Sequence, residues 1–238
     1  MKFVQLGDTD IRTARARYFV TGYQGFGLVG YLTTRHLVQE LKMKRVGFIR
    51  TRYMPEVTLF KNGIGLQYPF EIYYGDGVMV LLNNAMPHER ERTSYVEFVI
   101  ELIKEVGVDE ILLVGGLDSN LRESEGETYR WIPIGETRIK LPGKILEERH
   151  VIGPLALTMM LAEAHGLRGV TILPFTEMYR PDPKASAVAV EVISELLGVG
   201  IDTSKLLEEA SLIEAIEAER KKMEEMLEGE KKQKLTYI

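Results

Sequence analysis

The chain has 238 residues, with 30 Lys and Arg against 35 Asp and Glu, a formal charge of −5. Hydrophobic residues make up 45% and charged residues 27%, enough apolar material for one sizeable core, so one domain plus an appendage is expected. The acidic balance argues against nucleic acid as a partner, no apolar run approaches the roughly 18–20 residues that span a bilayer, and the absence of cysteine removes disulfides and thiol chemistry together.

The first residues carry no apolar stretch followed by a small-residue cleavage site, which reads as a cytoplasmic protein. Tyr18-Phe19-Val20-Thr21 predicts a strand running into Gly22. A glycine-rich turn and a helix from Leu28 to Leu41 follow, with Leu28, Tyr31, Leu32, Leu37, Val38 and Leu41 forming its stripe. Residues 45–49 predict a second strand. Between Pro55 and Leu82, short apolar runs broken by Asn62-Gly63, Pro69 and Gly75-Asp76-Gly77 read as hairpin-linked strands. Helix returns over 89–106, then Ile111-Leu112-Leu113-Val114 predicts a strand buried on both faces. Residues 117–150 are polar and broken, with short strands expected at 129–132 and 137–139. Gly153-Pro154 opens an apolar helix, residues 170–173 form the next buried strand, and Asp182-Pro183 opens another helix. Alternation of this kind calls for a layered α/β fold with a mixed sheet.

From Ser204 to Glu228 there is neither Pro nor Gly, and Leu206, Ile213, Ile216, Met223 and Leu227 recur at helical spacing. That seam has two possible fates: packing on its own domain, or self-association.

Gly25-Phe26-Gly27-Leu28-Val29-Gly30 matches the dinucleotide fingerprint after a strand and before a helix. The acid that should grip a ribose is replaced by Arg50-Thr51-Arg52. A nucleotide- or nucleoside-binding enzyme or sensor using residues 22–30 is therefore one reading. The other is that Gly22, Gly25, Gly27 and Gly30 serve tight turns and close helix–sheet packing. His36, His88, His150 and His165 have no metal-site spacing, and surface or capping roles are expected for them; no metal and no cofactor is expected. No serine elbow appears. The run His88 to Arg92 reads as the solvated first turn of a helix. Asp182 suits a helix cap and Pro183 the first helical position, which accounts for Pro181-Asp182-Pro183 without an active site. Gly115 to Ser119, just past a buried strand, is the best place for a small-molecule pocket.

Taken together, several stretches resemble the PAC2 family. They are Gly22 to Gly30 with the helix ending Leu37 to Leu41, Tyr53-Met54-Pro55 with Asn62-Gly63, and Gly153-Pro154-Leu155 to Gly166. Leu173-Pro174, Tyr179 to Ala185, Leu197-Gly198 and Ile201-Asp202 complete the set, so the likeness spans about residues 15–210 in order. The resemblance implies an α/β sandwich similar to nucleoside phosphorylases, generally without their activity, in proteins related to proteasome assembly chaperones and including archaeal members. It assigns the glycine block to the fold. It also gives the C-terminus a meaning, since such proteins often end in a hydrophobic residue, Tyr and any residue, docking between proteasome α subunits. Here Leu235 precedes Thr236-Tyr237-Ile238, with Thr236 where a larger apolar residue is usual.

The expectation is thus a PAC2-like α/β domain over 1–200, with an amphipathic helix and flexible tail over 201–238. Its function is expected to be non-enzymatic: a homo-oligomeric chaperone or adaptor for the 20S proteasome α subunits, with a sister PAC2-like protein as a further partner.

Overall fold

The structure, a computed structural model, describes residues 1–11, 13–63 and 65–235, with side chains described through residue 221 and at 223 and 224. In chain order the elements are β1 (Lys2–Gln5), β2 (Tyr18–Gly22), α1 (Val29–Glu40), β3 (Lys44–Arg50), β4 (Phe60–Lys61), β5 (Gly65–Leu66), β6 (Phe70–Gly75) and β7 (Val78–Asn83). Then follow α2 (Arg92–Val106), β8 (Glu110–Val114), β9 (Leu117–Asp118), β10 (Tyr129–Ile134), β11 (Lys144–Ile145), α3 (Gly153–Ala164), β12 (Gly169–Thr176), α4 (Pro183–Leu197) and α5 (Ser204–Leu235).

A ten-stranded mixed sheet runs β1-β3-β6-β7-β2-β8-β12-β10-β11, with β9 added beside β12. Its centre, β7, β2, β8 and β12, is parallel. The tight hairpin β6–β7 and the pairs β3–β6, β1–β3 and β10–β12 are antiparallel. Parallel strands are buried on both faces because crossover helices cover each side. Successive residues accordingly face opposite cores. Phe19, Ile111 and Leu113 pack with Tyr95, Val99 and Ile103 of α2 and Leu155 of α3. Tyr18, Val20, Leu112 and Val114 pack with Val29 and Leu37 of α1 and Val190 and Ile193 of α4. The architecture is an α/β/α sandwich with a long C-terminal helix.

Three elements depart from the expectation. β1, an edge strand paired antiparallel to β3, has no strong apolar alternation of its own and owes its form to that partner. The hairpin-linked strands between 55 and 66 shrink to the two-residue pair β4–β5, which stands apart from the main sheet. Residues 137–139 form no strand. The Thr137 hydroxyl instead bonds Glu110 and accepts the Ile139 amide, and the pairing moves to β11. The irregular stretch before β10 is held by Arg130, whose guanidinium binds Glu127 at 2.8 Å and Glu123 at 2.6 Å. Hydrogen bonds from Lys144 and Arg130 hold the Glu123 carboxyl below its ordinary value.

α5 extends past Glu228 to Leu235. Its base packs on α4, with Leu206 only 1% exposed and Ala210 buried. Arg35 of α1 binds Glu209 at 2.7 Å, and Lys205 binds Glu40 at 2.7 Å. Higher up, Glu217 pairs with Arg180 in the loop between β12 and α4. From Ala218 onward every described side chain is exposed, so the helix leaves the body at the end where the parallel strands finish.

Candidate functional site

The glycine block makes the turn from β2 into α1. Gly22 and Gly30 lie back to back, and a Cβ on Gly22 would stand 2.5 Å from the Gly30 Cα. A Cβ on Gly30 would meet the Val114 carbonyl at 2.6 Å. Gly27 has φ +61°, and the space a side chain would need is filled by Thr176. Asp182 joins the same construction. Its backbone N–H donates to the Gly27 carbonyl at 2.8 Å, while its carboxylate accepts from the Ala185 N–H and the Thr176 hydroxyl, each at 2.9 Å. Pro183 is the first residue of α4 and Pro181 sits in the preceding loop.

A phosphate cradle needs free N–H groups at the helix start. Here the Gly25, Gly27 and Leu28 N–H groups already donate to the carbonyls of Tyr23, Met178 and Gly25. The letters of the fingerprint are present, but these amides point back into the protein.

Beside this turn lies a cavity of about 220 Å³, just past the ends of β2, β7 and β8. Gly25 and Phe26 line it from one side, Gly115, Gly116 and Leu117 from another, and the segment from His150 to Leu155 from a third. Tyr23, Met86, Val114, Leu146 and Leu173 complete the wall. Two segments singled out separately in the sequence, the glycine block and the stretch after β8, are brought together because β2 and β8 pair in parallel. Asp118 and Ser119 do not line the cavity; the Asp118 carboxylate accepts from the Asn120 N–H and caps a short turn. The Tyr23 hydroxyl lies 2.9 Å from that of Thr158, which itself donates to the Pro154 carbonyl. Burial pushes the Tyr23 phenol up to about 12, which keeps it neutral. A larger groove of about 940 Å³, open to solvent, runs beside Leu6 to Thr9 and Lys42 to Arg45 and shares no lining residue with this cavity.

Two buried carboxylates were not foreseen. Glu71 is fully buried and receives Arg45 at 2.6 Å, the Tyr73 hydroxyl at 3.0 Å, the Asn84 amide at 3.0 Å and the Tyr68 N–H. Gln24 reaches the Asn84 carbonyl at 2.8 Å, so this network braces the glycine turn. An acid inside the apolar run 70–74 was the available signal. Glu91, expected on a solvated first turn, is buried instead, and its carboxylate accepts the Arg52 and Tyr53 N–H groups at 3.1 Å. His88 caps that turn by accepting the Arg90 N–H, and His36 bonds the Asp202 carbonyl at 2.7 Å. Among the described residues no cluster of three or more His, Asp or Glu is placed to hold a metal ion, and no helix is long and apolar enough to cross a membrane.

The C-terminal seam is divided. Leu206 is taken up by the chain's own core, which removes it from the surface set, and Ile213 is half-buried. Ile216 and Met223 remain 57% and 58% exposed, joined by Leu212 at 62%. The side chains of Leu227 and Leu235, and all of Thr236, Tyr237 and Ile238, lie outside the described residues.

Residues 19–221 match the model of the PAC2 family. Over 235 residues the chain is 25% identical to the uncharacterized protein MJ1210 of Methanocaldococcus jannaschii, covering 92% of this chain and 89% of that protein. In structure it is similar to Pyrococcus furiosus PbaA, an archaeal homolog of proteasome-assembly chaperone, with TM-score 0.75 and 24% identity over 94% of this chain and 93% of that one. It is equally similar to Pyrococcus furiosus PbaB, an archaeal proteasome activator, with TM-score 0.75 and 20% identity over 92% and 98%. At these identities the structural likenesses speak for the fold.

Proposed function

The chain belongs to the PAC2 family, and on that premise we propose that it is an assembly-chaperone-like adaptor of the proteasome, docking on the 20S α ring through its C-terminal tail. It acts by binding and not by catalysis. The observation that carries this reading is α5, which is anchored along α4 and then leaves the body with every described side chain exposed from Ala218. Residues 218–235 extend it by about 27 Å beyond Glu217, which pairs with Arg180. The likeness to PbaA and PbaB supports the choice of partner.

Tyr237 is the anchor of the docking motif, because its ring fills an apolar pocket while the hydroxyl keeps a hydrogen bond. The Ile238 carboxylate supplies a charge for a basic group on the partner. One such tail binds weakly, since a short segment loses conformational entropy on docking. Self-association through the exposed part of the α5 seam, Ile216 and Met223, presents several tails at once, and avidity then raises apparent affinity by about 10²–10⁴. A sister PAC2-like protein would fit the same arrangement.

The test is a pull-down of purified 20S proteasome by the full chain, by Tyr237→Ala and by a chain lacking residues 236–238. Each variant is expected to lose binding while keeping its mass in solution. Undiminished binding by both would move the contact to the α/β body.

A further inference from the structure

We propose that the cavity at the strand ends is a binding site for a small uncharged aromatic compound, with Gly25 as its open threshold and His150 as its one polar handle. Gly25 differs from the other glycines of the turn. Gly22 and Gly30 are dictated by backbone contact, and Gly27 by its positive φ. Gly25 has φ −105° and ψ −149°, and a Cβ placed on it would meet nothing within 4 Å. No neighbouring atom requires glycine there. What the missing side chain does is leave the cavity wall bare beside Phe26, where a flat molecule can lie against backbone.

The chemistry of the wall selects the class of ligand. Among the described residues no Lys, Arg, Asp or Glu lines the cavity, and the neighbouring amides at Gly25, Gly27 and Leu28 are engaged, so neither a phosphate nor a carboxylate would be compensated. Met86, Val114, Leu117, Leu146, Val151, Leu155 and Leu173 supply an almost wholly apolar lining. An apolar cavity of about 150 Å³ takes benzene, so about 220 Å³ suits a compound of one or two fused rings. Tyr23 is committed to Thr158. The exposed His150 has no hydrogen-bond partner among the described residues and stands at the rim, ready to accept a ring N–H. Next to it Ile152 is 69% exposed, an apolar side chain at the entrance with nothing of its own to cover.

Indole, which has the size, neutrality and single N–H the site calls for, is the probe. Titrated into the full chain in a calorimeter it is expected to bind saturably at one site, and at a hundredfold excess over Kd to raise Tm by about 5–10 °C. Gly25→Phe, which places a ring where space is open, is expected to abolish binding without loss of fold. His150→Ala should weaken it about two- to tenfold, the worth of one hydrogen bond. Methyl shifts on addition of indole, concentrated on Met86, Leu117, Leu155 and Leu173, would locate the ligand even if the glycine variant failed to fold. Absence of saturable binding, methyl shifts elsewhere in the molecule, or ATP binding as tightly as indole would each overturn the proposal. Proteasome capture by the Gly25→Phe variant is expected to match that of the parent chain, because the site is separate from the tail.

Discussion

At Gly30 two backbones touch where any other residue would interpose a methyl group. The Val114 carbonyl and the Tyr23 amide lie 2.6 and 2.7 Å from where its Cβ would be, and neither is the end of a flexible side chain. Relief would require β2, β8 and α1 to separate together, so Gly30→Ala should cost about 2–3 kcal/mol or more, read as a lowered denaturant midpoint. Gly25→Ala, with open space at the same distance, should be close to neutral. The same scale governs behaviour in alkali. Burial raises the Tyr23 and Tyr73 phenols, and Tyr95, fully enclosed in the α2 layer, is raised well above the ordinary value. These groups keep their protons in the folded state while the unfolded chain loses them near pH 10. Stability is therefore unaffected by them below pH 10 and falls as pH rises toward 12. Tyrosinate absorbance during a pH titration should show these three of the 11 tyrosines ionising only as the fold is lost.

Among the elements, α5 is two helices in function, though one in geometry. Its first turns are core: Leu206 sits beneath α4, so Leu206→Ala should lower stability by about 2–4 kcal/mol. Its middle is surface: Ile216→Glu should change monomer stability by less than about 0.5 kcal/mol yet reduce the mass measured by light scattering if the seam joins copies. A chain whose mass is the same with and without Ile216→Glu would leave the exposed seam without that role. Helical periodicity alone could not draw this division. Leu206 and Ile216 stand in the same stripe, and only the height at which α5 clears α4 separates a core residue from a free one. α2 posed the opposite case: its pattern was plain, but Glu91 at its start looked like a solvated charge until the Arg52 and Tyr53 amides of a distant loop were placed against it.

In the molecule as a whole, the legible parts are those whose neighbours scarcely matter. The central strands declare themselves as unbroken apolar runs because both faces are covered, and α1, α3 and α4 carry their own start signals in Gly and Pro. β1 was invisible because two exposed and two half-buried residues become a strand only when β3 offers its edge. Residues 137–139 looked like a strand and are not, since a single hydroxyl found two better partners. The cavity was half legible. Gly25 and Gly115 could each be picked out, but that they face one another follows from the β2–β8 register, a contact between segments some ninety residues apart that no local pattern encodes. The network around Glu71 has the same origin, joining β3, β6 and the loop after β7.

The unbroken helix from Ser204 to Leu235 turns residue count into compass bearing. Each residue added between the Arg180–Glu217 clasp and the end of α5 swings everything beyond it by about 100° and lifts it by about 1.5 Å. Seven residues would restore nearly the original heading about 10 Å further out, whereas two would aim the terminus almost at the opposite horizon. Two chains with identical bodies and identical last residues, differing only in the length of this rod, would therefore address receptors at different azimuths. Partner choice in such a pair would be an angular property, set by phase and not by any residue that touches the partner.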